Sequence, residues 1–470
     1  MPKKKRDDRK ADGDRNNDPT MSQTLVEWFY RILLNLGLVI SAPYYFRRMQ
    51  RRGGWRDRVG QRFGKYDADF VKYCSKGKRI WIHAVSVGEV HLSLELVKRL
   101  KARLGDCKII VSATTTTGMA EWQKKLPPDI KTCFYPIDRR PWVRSAMDVI
   151  RPEVIILAEA EIWPNFFWEA RQRNIPTFLI NARISEKSFG WYQRLAFLFR
   201  PLFQSLAQVG TQNKSDADRL ASLGCRQDRV QVTGNMKFDA ALSGTRKPNL
   251  DVPQLFHESG ITDNALILMG SSTHPGEEAI LGKIYSELKP VHPRLKLVLV
   301  PRHFEKARAA GDTLKAASLN VCYRSEWKPG TDLSDNDDDA CLIVDSTGEL
   351  SSFYAHVDLV FIGKSLTAKG GQSPIEAAAA GTAMIMGPNM QNFRAITRTL
   401  LSNKAAVQVP DANGLKDAVS KLLKDSDARS SIGSHAKQVV QQNLGAVDRS
   451  LEMLISHSSL SRLCEVPKST

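Results

Sequence analysis

From Arg79 onward, short runs of apolar residues alternate with longer stretches in which apolar positions recur every three or four residues. The first half shows strand-like runs at RIWIHAV (79–85), KIIVSA (108–113), VIILA (154–158) and TFLI (177–180). Between them the helical period appears at 89–104, near 118–126 and, as one long apolar-periodic helix, at 191–206. After a Pro/Gly/Asn-rich connection the same grammar restarts with ALILMG (265–270), LKLVLV (295–300), CLIVD (341–345), DLVFIG (358–363) and AMIM (383–386). Apolar runs with no polar alternation belong to strands buried on both faces, and their regular spacing by helices predicts parallel sheets wrapped by helices. The pattern therefore predicts an α/β protein with two doubly wound, Rossmann-like domains, at 47–242 and 254–445, joined by a linker at 243–253. Residues 446–470 read as a terminal helix and a loose polar tail.

The N-terminus follows a different rule. Residues 1–20 mix both charge signs with almost no apolar side chain and predict a disordered tail. Residues 21–46 then turn apolar and aromatic, and Arg47, Arg48, Arg51 and Arg52 follow at once. This predicts a membrane-anchor helix. The apolar stretch is short for a span of about 20 residues and carries Glu27 and Arg31, so an interfacial or barely spanning helix fits it better. Its arginines would sit among anionic headgroups, each adding about 1 kcal/mol. A core helix is the plain alternative.

Length and charge agree with this picture. A chain of 470 residues exceeds one comfortable core. Its 68 Lys and Arg against 50 Asp and Glu leave a net charge of +18, which calls for an anionic partner: nucleic acid, a membrane surface or a phosphorylated substrate. The 7 cysteines show no C-x-x-C pair, which predicts reduced, mostly buried thiols and no structural zinc. The acidic run at 332–340 lacks the glycine and terminal glutamate of a calcium loop.

Candidate chemistry lies where strands end. Glu89 follows the first strand through a glycine turn, at the carboxyl edge where α/β proteins bind ligands. An acid in a first helical turn is equally ordinary dipole chemistry. In the second domain, Ser271, Ser272 and Thr273 stand before a helix start, as phosphate ligands or as plain caps. Arg302 and His303 follow the next strand, and Arg302 has the geometry for a bidentate phosphate contact. The segment 363–381 combines Gly363, Lys364 and Ser365 with a Gly370–Gly371 pair, Ser373 and Glu376 at a helix start. A glycine turn followed by an acid suits a nucleotide, with amides on phosphate and the carboxylate on ribose. It is neither a P-loop nor G-x-G-x-x-G, which argues against kinases and dehydrogenases. The first domain adds TTTTGM (114–119), EAEIWPN (159–165), NARIS (181–185) and TGNMKFD (233–239), each after an apolar run. Arg183 and Lys237 are candidates to hold an acidic sugar or its phosphate.

In this order, HAVSVGE, EAEIWPN, NARIS, TGNMKFD, GSSTHPGEE, PRH, DSTGEL and GGQSPIE resemble the 3-deoxy-D-manno-octulosonic acid (Kdo) transferases, from about Leu25 to about residue 445. The resemblance implies a glycosyltransferase B fold, with the lipid acceptor on the first domain and CMP-Kdo on the second. It further implies transfer of Kdo to the lipid A precursor, lipid IVA, in lipopolysaccharide biosynthesis, at the cytoplasmic face of the inner membrane. The glutamate closing SVGE is the family's catalytic base and falls on Glu89. Ser86, Thr116, Glu161, Arg183 and Lys237 become acceptor- or sugar-side candidates, and Ser271 to Thr273, Arg302, His303, Gly363 to Ser365, Gly371, Ser373 and Glu376 donor-side ones. The resemblance implies no metal or other cofactor, and no nucleic-acid partner. Two positions depart from the family: Gln372 and Ser373 stand where a His and an Asn are usual, and Gly387-Pro388-Asn389 replaces a turn ending in His. Rival readings are a UDP-sugar transferase or epimerase of the same fold, and a non-catalytic membrane-associated nucleotide-binding protein.

Overall fold

A computed structural model describes residues 21–52, 58–243, 250–330 and 341–464. The tail at 1–20, most of the linker at 243–253, the acidic run at 332–340 and the side chains of Arg48, Arg51 and Arg52 lie outside the described residues. Among those described, fourteen strands form two seven-stranded sheets in which every pairing is parallel.

The first sheet contains β1 (Arg79–His83), β2 (Lys108–Ala113), β3 (Lys131–Phe134), β4 (Val154–Ala158), β5 (Thr177–Ala182), β6 (Gln208–Thr211) and β7 (Val230–Val232), in the order β3-β2-β1-β4-β5-β6-β7. The second contains β8 (Leu266–Thr273), β9 (Leu295–Pro301), β10 (Val321–Tyr323), β11 (Cys341–Ile343), β12 (Leu359–Ile362), β13 (Ala383–Met386) and β14 (Val407–Gln408), in the order β10-β11-β9-β8-β12-β13-β14. Both are doubly wound sheets of the glycosyltransferase B type. Every residue of β1, β4, β5, β9, β12 and β13 is buried, as continuous apolar runs require of strands covered on both faces. The strand order reverses between β1 and β4 in the first sheet and between β8 and β12 in the second, where β11 also inserts between β9 and β10. Loops leaving neighbouring strands at such a reversal splay apart and leave room for a ligand.

The compact units are 1–236 with 445–470, and 237–444. Residues 237–242, read from sequence as the end of the first domain, thus belong to the second, where Phe238 enters the core beside Val252 and Phe256. The helix Ala446–Ser456 returns to the first unit. Arg449 Nε donates to the Thr233 carbonyl at 2.8 Å, and Val447, Leu451 and Leu454 are buried. The long helix expected at 191–206 is divided into Glu186–Arg194 and Ala196–Gln204. The break at Leu195 lets Tyr192 fold back on Phe199 and Phe203, with ring centroids 4.7 and 5.3 Å apart. The cysteines in the described residues are free thiols, all buried except the partly exposed Cys464.

The N-terminal helix runs Met21–Arg52, through Pro43 and past the expected end at 46. Its stretch Thr24–Tyr44 is long and apolar enough to cross a membrane. Leu25, Trp28, Phe29, Leu33, Leu36, Val39 and Ile40 are exposed, as is Arg47, whereas Glu27 is buried. Glu27 and Arg31, which made the stretch look too polar on paper, form an ion pair at 2.6 Å on the side turned to the first domain. Val26 and Tyr30 pack there on the core. The charged pair Glu27–Arg31 thus faces inward, while most of the large apolar side chains face outward.

Candidate active site

Glu89 lies in the first turn of the helix Val87–Arg103, whose N-cap is Ser86. Its carboxylate reaches back over that turn: Oε2 accepts from the Val85 amide at 2.7 Å and Oε1 from the Ser86 hydroxyl at 2.9 Å. The contact differs from a capping box by one residue: the glutamate at the third helical position takes the amide before the N-cap and the N-cap hydroxyl, not the N-cap amide. Glu89 therefore has the structural duty that its position suggested. It also has company that no helix end requires. The neighbouring strand β4, across the sheet's reversal, is followed at once by Glu159, which adopts a left-handed φ of 60° that β-carbon residues rarely adopt. This turn brings Glu159 and Glu161 toward Glu89. Burial and the two neighbouring carboxylates push Glu89 up to about 7, although the Val85 and Ser86 hydrogen bonds pull the other way. Burial also raises Glu161, whose Oε2 accepts from the Trp163 indole at 2.8 Å. A half-buried carboxylate that titrates near neutrality at a sheet's switch point can accept a proton from a substrate hydroxyl.

Beneath this edge lies a polar column. The Ser112 hydroxyl lies 2.8 Å from Trp81 Nε1 and 2.9 Å from His83 Nδ1, and His83 stacks on Tyr135 with centroids 3.8 Å apart. Complete burial pushes His83 down to about 3, so the imidazole stays neutral.

Of the other first-domain candidates, Thr116 opens the helix Thr116–Lys125 half-buried, one residue after the cap Thr115. Arg183 is exposed, with a guanidinium nitrogen 4.0 Å from Glu159. Lys237 opens the helix Lys237–Ser243, directly after Met236, whose amide donates to Asn181 Oδ1 at 3.0 Å, two residues before Arg183.

The second domain corrects the expected phosphate cradle. The amides after β12 were expected to be available to a ligand, but Gly363 donates to the Ser271 carbonyl at 2.8 Å and the next three donate to one carboxylate. Glu277 accepts from Lys364 at 2.7 Å and from Ser365 and Leu366 at 3.0 Å each, and also from His274 at 2.9 Å. Ser271 hydrogen-bonds Tyr354 inside the core at 2.6 Å, and the buried Ser365 hydroxyl accepts from the Gly387 amide at 2.8 Å. Thr273 is buried, and its carbonyl accepts from the Arg302 amide at 3.0 Å. The Gly370–Gly371 pair serves a protein neighbour. A β-carbon on Gly371 would stand 2.5 Å from Met390 Sδ, and one on Gly370 2.7 Å from Asn392 Nδ2. Both have left-handed φ, 118° and 71°. Gly371 donates to the Lys364 carbonyl at 3.1 Å. These residues build the loop, and the groups at its outer edge are Arg302 and His303, both exposed, with Lys364, Ser373 and Glu376 half-buried. Burial raises Glu376 and the Arg302 charge opposes that rise, so the two side chains are electrostatic neighbours. The Ser373 hydroxyl accepts from the Ile375 amide at 3.4 Å.

Sequence reasoning quoted Glu277 in a motif and gave it no role. The signal was present in the acidic pair following Gly276, but its partners lie almost ninety residues away. It also passed over Asp138, which holds the start of the helix Pro164–Gln172.

A pH profile reads the carboxylate cluster directly. If Glu89 is the proton acceptor, kcat/KM falls as pH drops through about 7, roughly tenfold per pH unit on the acid side, because only the ionised form accepts a proton. Removing a neighbouring negative charge with Glu161→Gln lowers the Glu89 value and moves this limb to lower pH. Ser86→Ala removes a donor to the ionised form and moves it higher. A limb unmoved by both substitutions would place the titrating group elsewhere.

A family profile described as 3-Deoxy-D-manno-octulosonic-acid transferase (kdotransferase) matches residues 57–240. The 3-deoxy-D-manno-octulosonic acid transferase of Bordetella pertussis is 31% identical over 425 residues, covering 87% of this chain and 94% of that one. The corresponding protein of Haemophilus influenzae is 29% identical over 425 residues, covering 90% and 94%. Among solved structures, UDP-GlcNAc 2-epimerase from Neisseria meningitidis bound to UDP-GlcNAc superposes with a TM-score of 0.54 at 13% identity, covering 81% of this chain and 100% of that one. That last likeness is one of fold.

Proposed function

The chain belongs to the 3-deoxy-D-manno-octulosonic acid transferase family of glycosyltransferases, and from that membership we propose that it moves Kdo from CMP-Kdo to lipid IVA with inversion at the anomeric carbon. The observation that carries the chemical part is the raised carboxylate of Glu89 beside Glu159 and Glu161. An acceptor hydroxyl gives its proton to Glu89 while its oxygen bonds to the anomeric carbon of Kdo. The bond from that carbon to the CMP phosphate oxygen breaks, and CMP leaves with the electron pair. On the donor side, Arg302 meets the phosphate and Glu376 accepts from ribose hydroxyls. The fixed charge of Arg302 offsets part of the negative charge that builds on the leaving phosphate, in a step that uses no metal.

The outward apolar face of the N-terminal helix supports a lipid-side acceptor. With one face on the domain and the opposite face apolar, the helix suits the plane of a bilayer and brings the first domain to the lipid, a surface expected from family membership to be the cytoplasmic side of the inner membrane.

The test is transfer from CMP-Kdo to purified lipid IVA, run with and without EDTA, beside thermal shifts with CMP and UDP. Undiminished transfer in EDTA and stabilisation by CMP alone are expected. Stabilisation by UDP alone would replace this reading with a UDP-sugar enzyme, and loss in EDTA restored by magnesium would overturn the metal-free mechanism.

A further inference from the structure

The contacts that dock the N-terminal helix converge on one point, the start of the helix Pro164–Gln172. That start lacks an ordinary cap. Its N-cap residue is Trp163, which makes no cap hydrogen bond, and Pro164 has no amide to donate. The next two amides, which a Ser or Asp cap would normally satisfy, are taken by Asp138 from another part of the chain. Asn165 donates to its Oδ2 at 3.1 Å and Phe166 to its Oδ1 at 2.9 Å. The Asn165 side chain also donates to the Asp138 carbonyl at 2.6 Å. Asp138 is only 3% exposed and Asn165 only 2%.

The N-terminal helix completes this cap. Tyr30 donates its hydroxyl to Asp138 Oδ2 at 2.9 Å, and Arg31 Nε donates to Asn165 Oδ1 at 3.1 Å while its other end pairs with Glu27. Tyr30 and Arg31 also pack on Trp168 from the same helix, each 5.5 Å from its ring centroid. From the cap the path to the chemistry is short. Trp163 is the cap residue, its indole holds Glu161, and Glu161 is one of the two carboxylates acting on Glu89.

We propose that Tyr30 and Arg31 are positioning residues for the Glu161–Trp163 segment, so that docking of the outwardly apolar helix is transmitted to the general base. They touch no reacting atom. A plain anchor needs an apolar outer face and nothing more, whereas this helix supplies hydrogen bonds to a fully buried carboxylate and a buried amide at the edge of the site. Seating the helix orders the turn that holds Glu161. The proposal rests on the Glu89 reading for its kinetic arm and is independent of it for its structural arm.

Tyr30→Phe removes one hydroxyl and leaves the outer face untouched. In the full-length protein, hydrogen exchange at Asn165 and Phe166 is expected to quicken about tenfold, with the second domain unchanged. Turnover is expected to fall about five- to tenfold with KM for CMP-Kdo unchanged, and the acid limb of kcat/KM to move to lower pH as Glu161 loosens. Binding to phosphatidylethanolamine/phosphatidylglycerol vesicles should stay at the wild-type level. The control is Leu33→Ser on the outer face, which should weaken vesicle binding and leave exchange at 165 and 166 alone. Arg31→Lys, which keeps the charge but loses the Nε contact, provides a second, milder reading of the same exchange. Unchanged exchange in both Tyr30→Phe and Arg31→Lys, or a loss of turnover that only tracks lost vesicle binding, would overturn the proposal. Wild-type protein that transfers no Kdo would instead overturn the reaction, and the exchange data would still judge the coupling.

Discussion

Glu89→Gln is expected to lower kcat for Kdo transfer by about a hundred- to ten-thousand-fold, the range typical of lost general-base catalysis. The substitution isolates proton acceptance because the amide can keep the local structure. Its oxygen can still accept from the Val85 amide, now 2.7 Å from the carboxylate, and its nitrogen can donate to the Ser86 oxygen, now at 2.9 Å. The helix start at Val87 is thereby preserved, and the second domain, with its own core, is untouched. Thermal melting and CMP affinity should match wild type, and the residual rate should reflect binding and orientation alone. The measurement is single-turnover transfer from CMP-Kdo together with a CMP titration. Activity within threefold of wild type would remove Glu89 from the reaction, leaving it as a capping residue. Glu159→Gln and Glu161→Gln are expected to act mainly on the pH profile, since both reach Glu89 through charge.

Glu277→Ala should be the most damaging single substitution in the second domain. The carboxylate is fully buried and accepts from four backbone amides, three of them consecutive in the turn after β12. A buried amide left without an acceptor costs about 1–3 kcal/mol. Partial relaxation and entering water would offset much of the sum, so the expected loss is about 3–5 kcal/mol. Glu277→Gln is no rescue, because its NH2 group would confront amide donors where the carboxylate now accepts. The turn holds Lys364 at a left-handed φ of 57°, and β-carbon residues keep such angles only when their surroundings impose them. CMP affinity should therefore fall more than global stability suggests. Calorimetry and CMP titration of the full-length variant are the readouts. Wild-type melting with wild-type CMP binding would show that the clamp does not organise the donor loop.

How far the fold was legible follows from where each strand sits. The central strands β1, β4, β8, β9, β12 and β13 are covered on both faces, which makes them near-continuous apolar runs with polar residues confined to a few positions, mostly at strand ends. The strands that escaped notice are β3 (KTCF), β6 (QVGT), β7 (VQV), β10 (VCY) and β14 (VQ), short and partly polar. Four of them lie at sheet edges, where one neighbour is missing and burial is relaxed. The helix break at Leu195 was hidden because both halves continue the same apolar period.

The candidate site divides along a similar line. Glu89 was legible as an acid after the first strand, and Arg302 and Glu376 as polar residues at strand and helix ends. The GSST hydroxyls and the amides from Gly363 to Ser365 looked equally available, since sequence shows that a donor exists but not who accepts from it. The N-terminal helix looked compromised by Glu27 and Arg31 for the same reason. A charge in an apolar run is a fault only if it faces lipid, and here both face the protein.

The sequence by itself determined the alternation of strands and helices, the repetition of that pattern in two halves, the outward supply of apolar and basic residues at the N-terminus, and the acids placed at strand ends. These are local properties, set by period, by turn chemistry and by side-chain type. Only the tertiary structure decided which groups are spent and which remain. Leu366 finds Glu277 across 89 residues, Tyr30 finds Asp138 across 108, and Glu89 acquires two carboxylate neighbours from the adjacent strand. Hydrogen bonds need their partners within about 3 Å, and a carboxylate shifts only when water is removed and like charges are brought close. Both conditions are made by the packing of residues distant along the chain, so Glu89 has its proton affinity, and the donor loop its shape, from the fold alone.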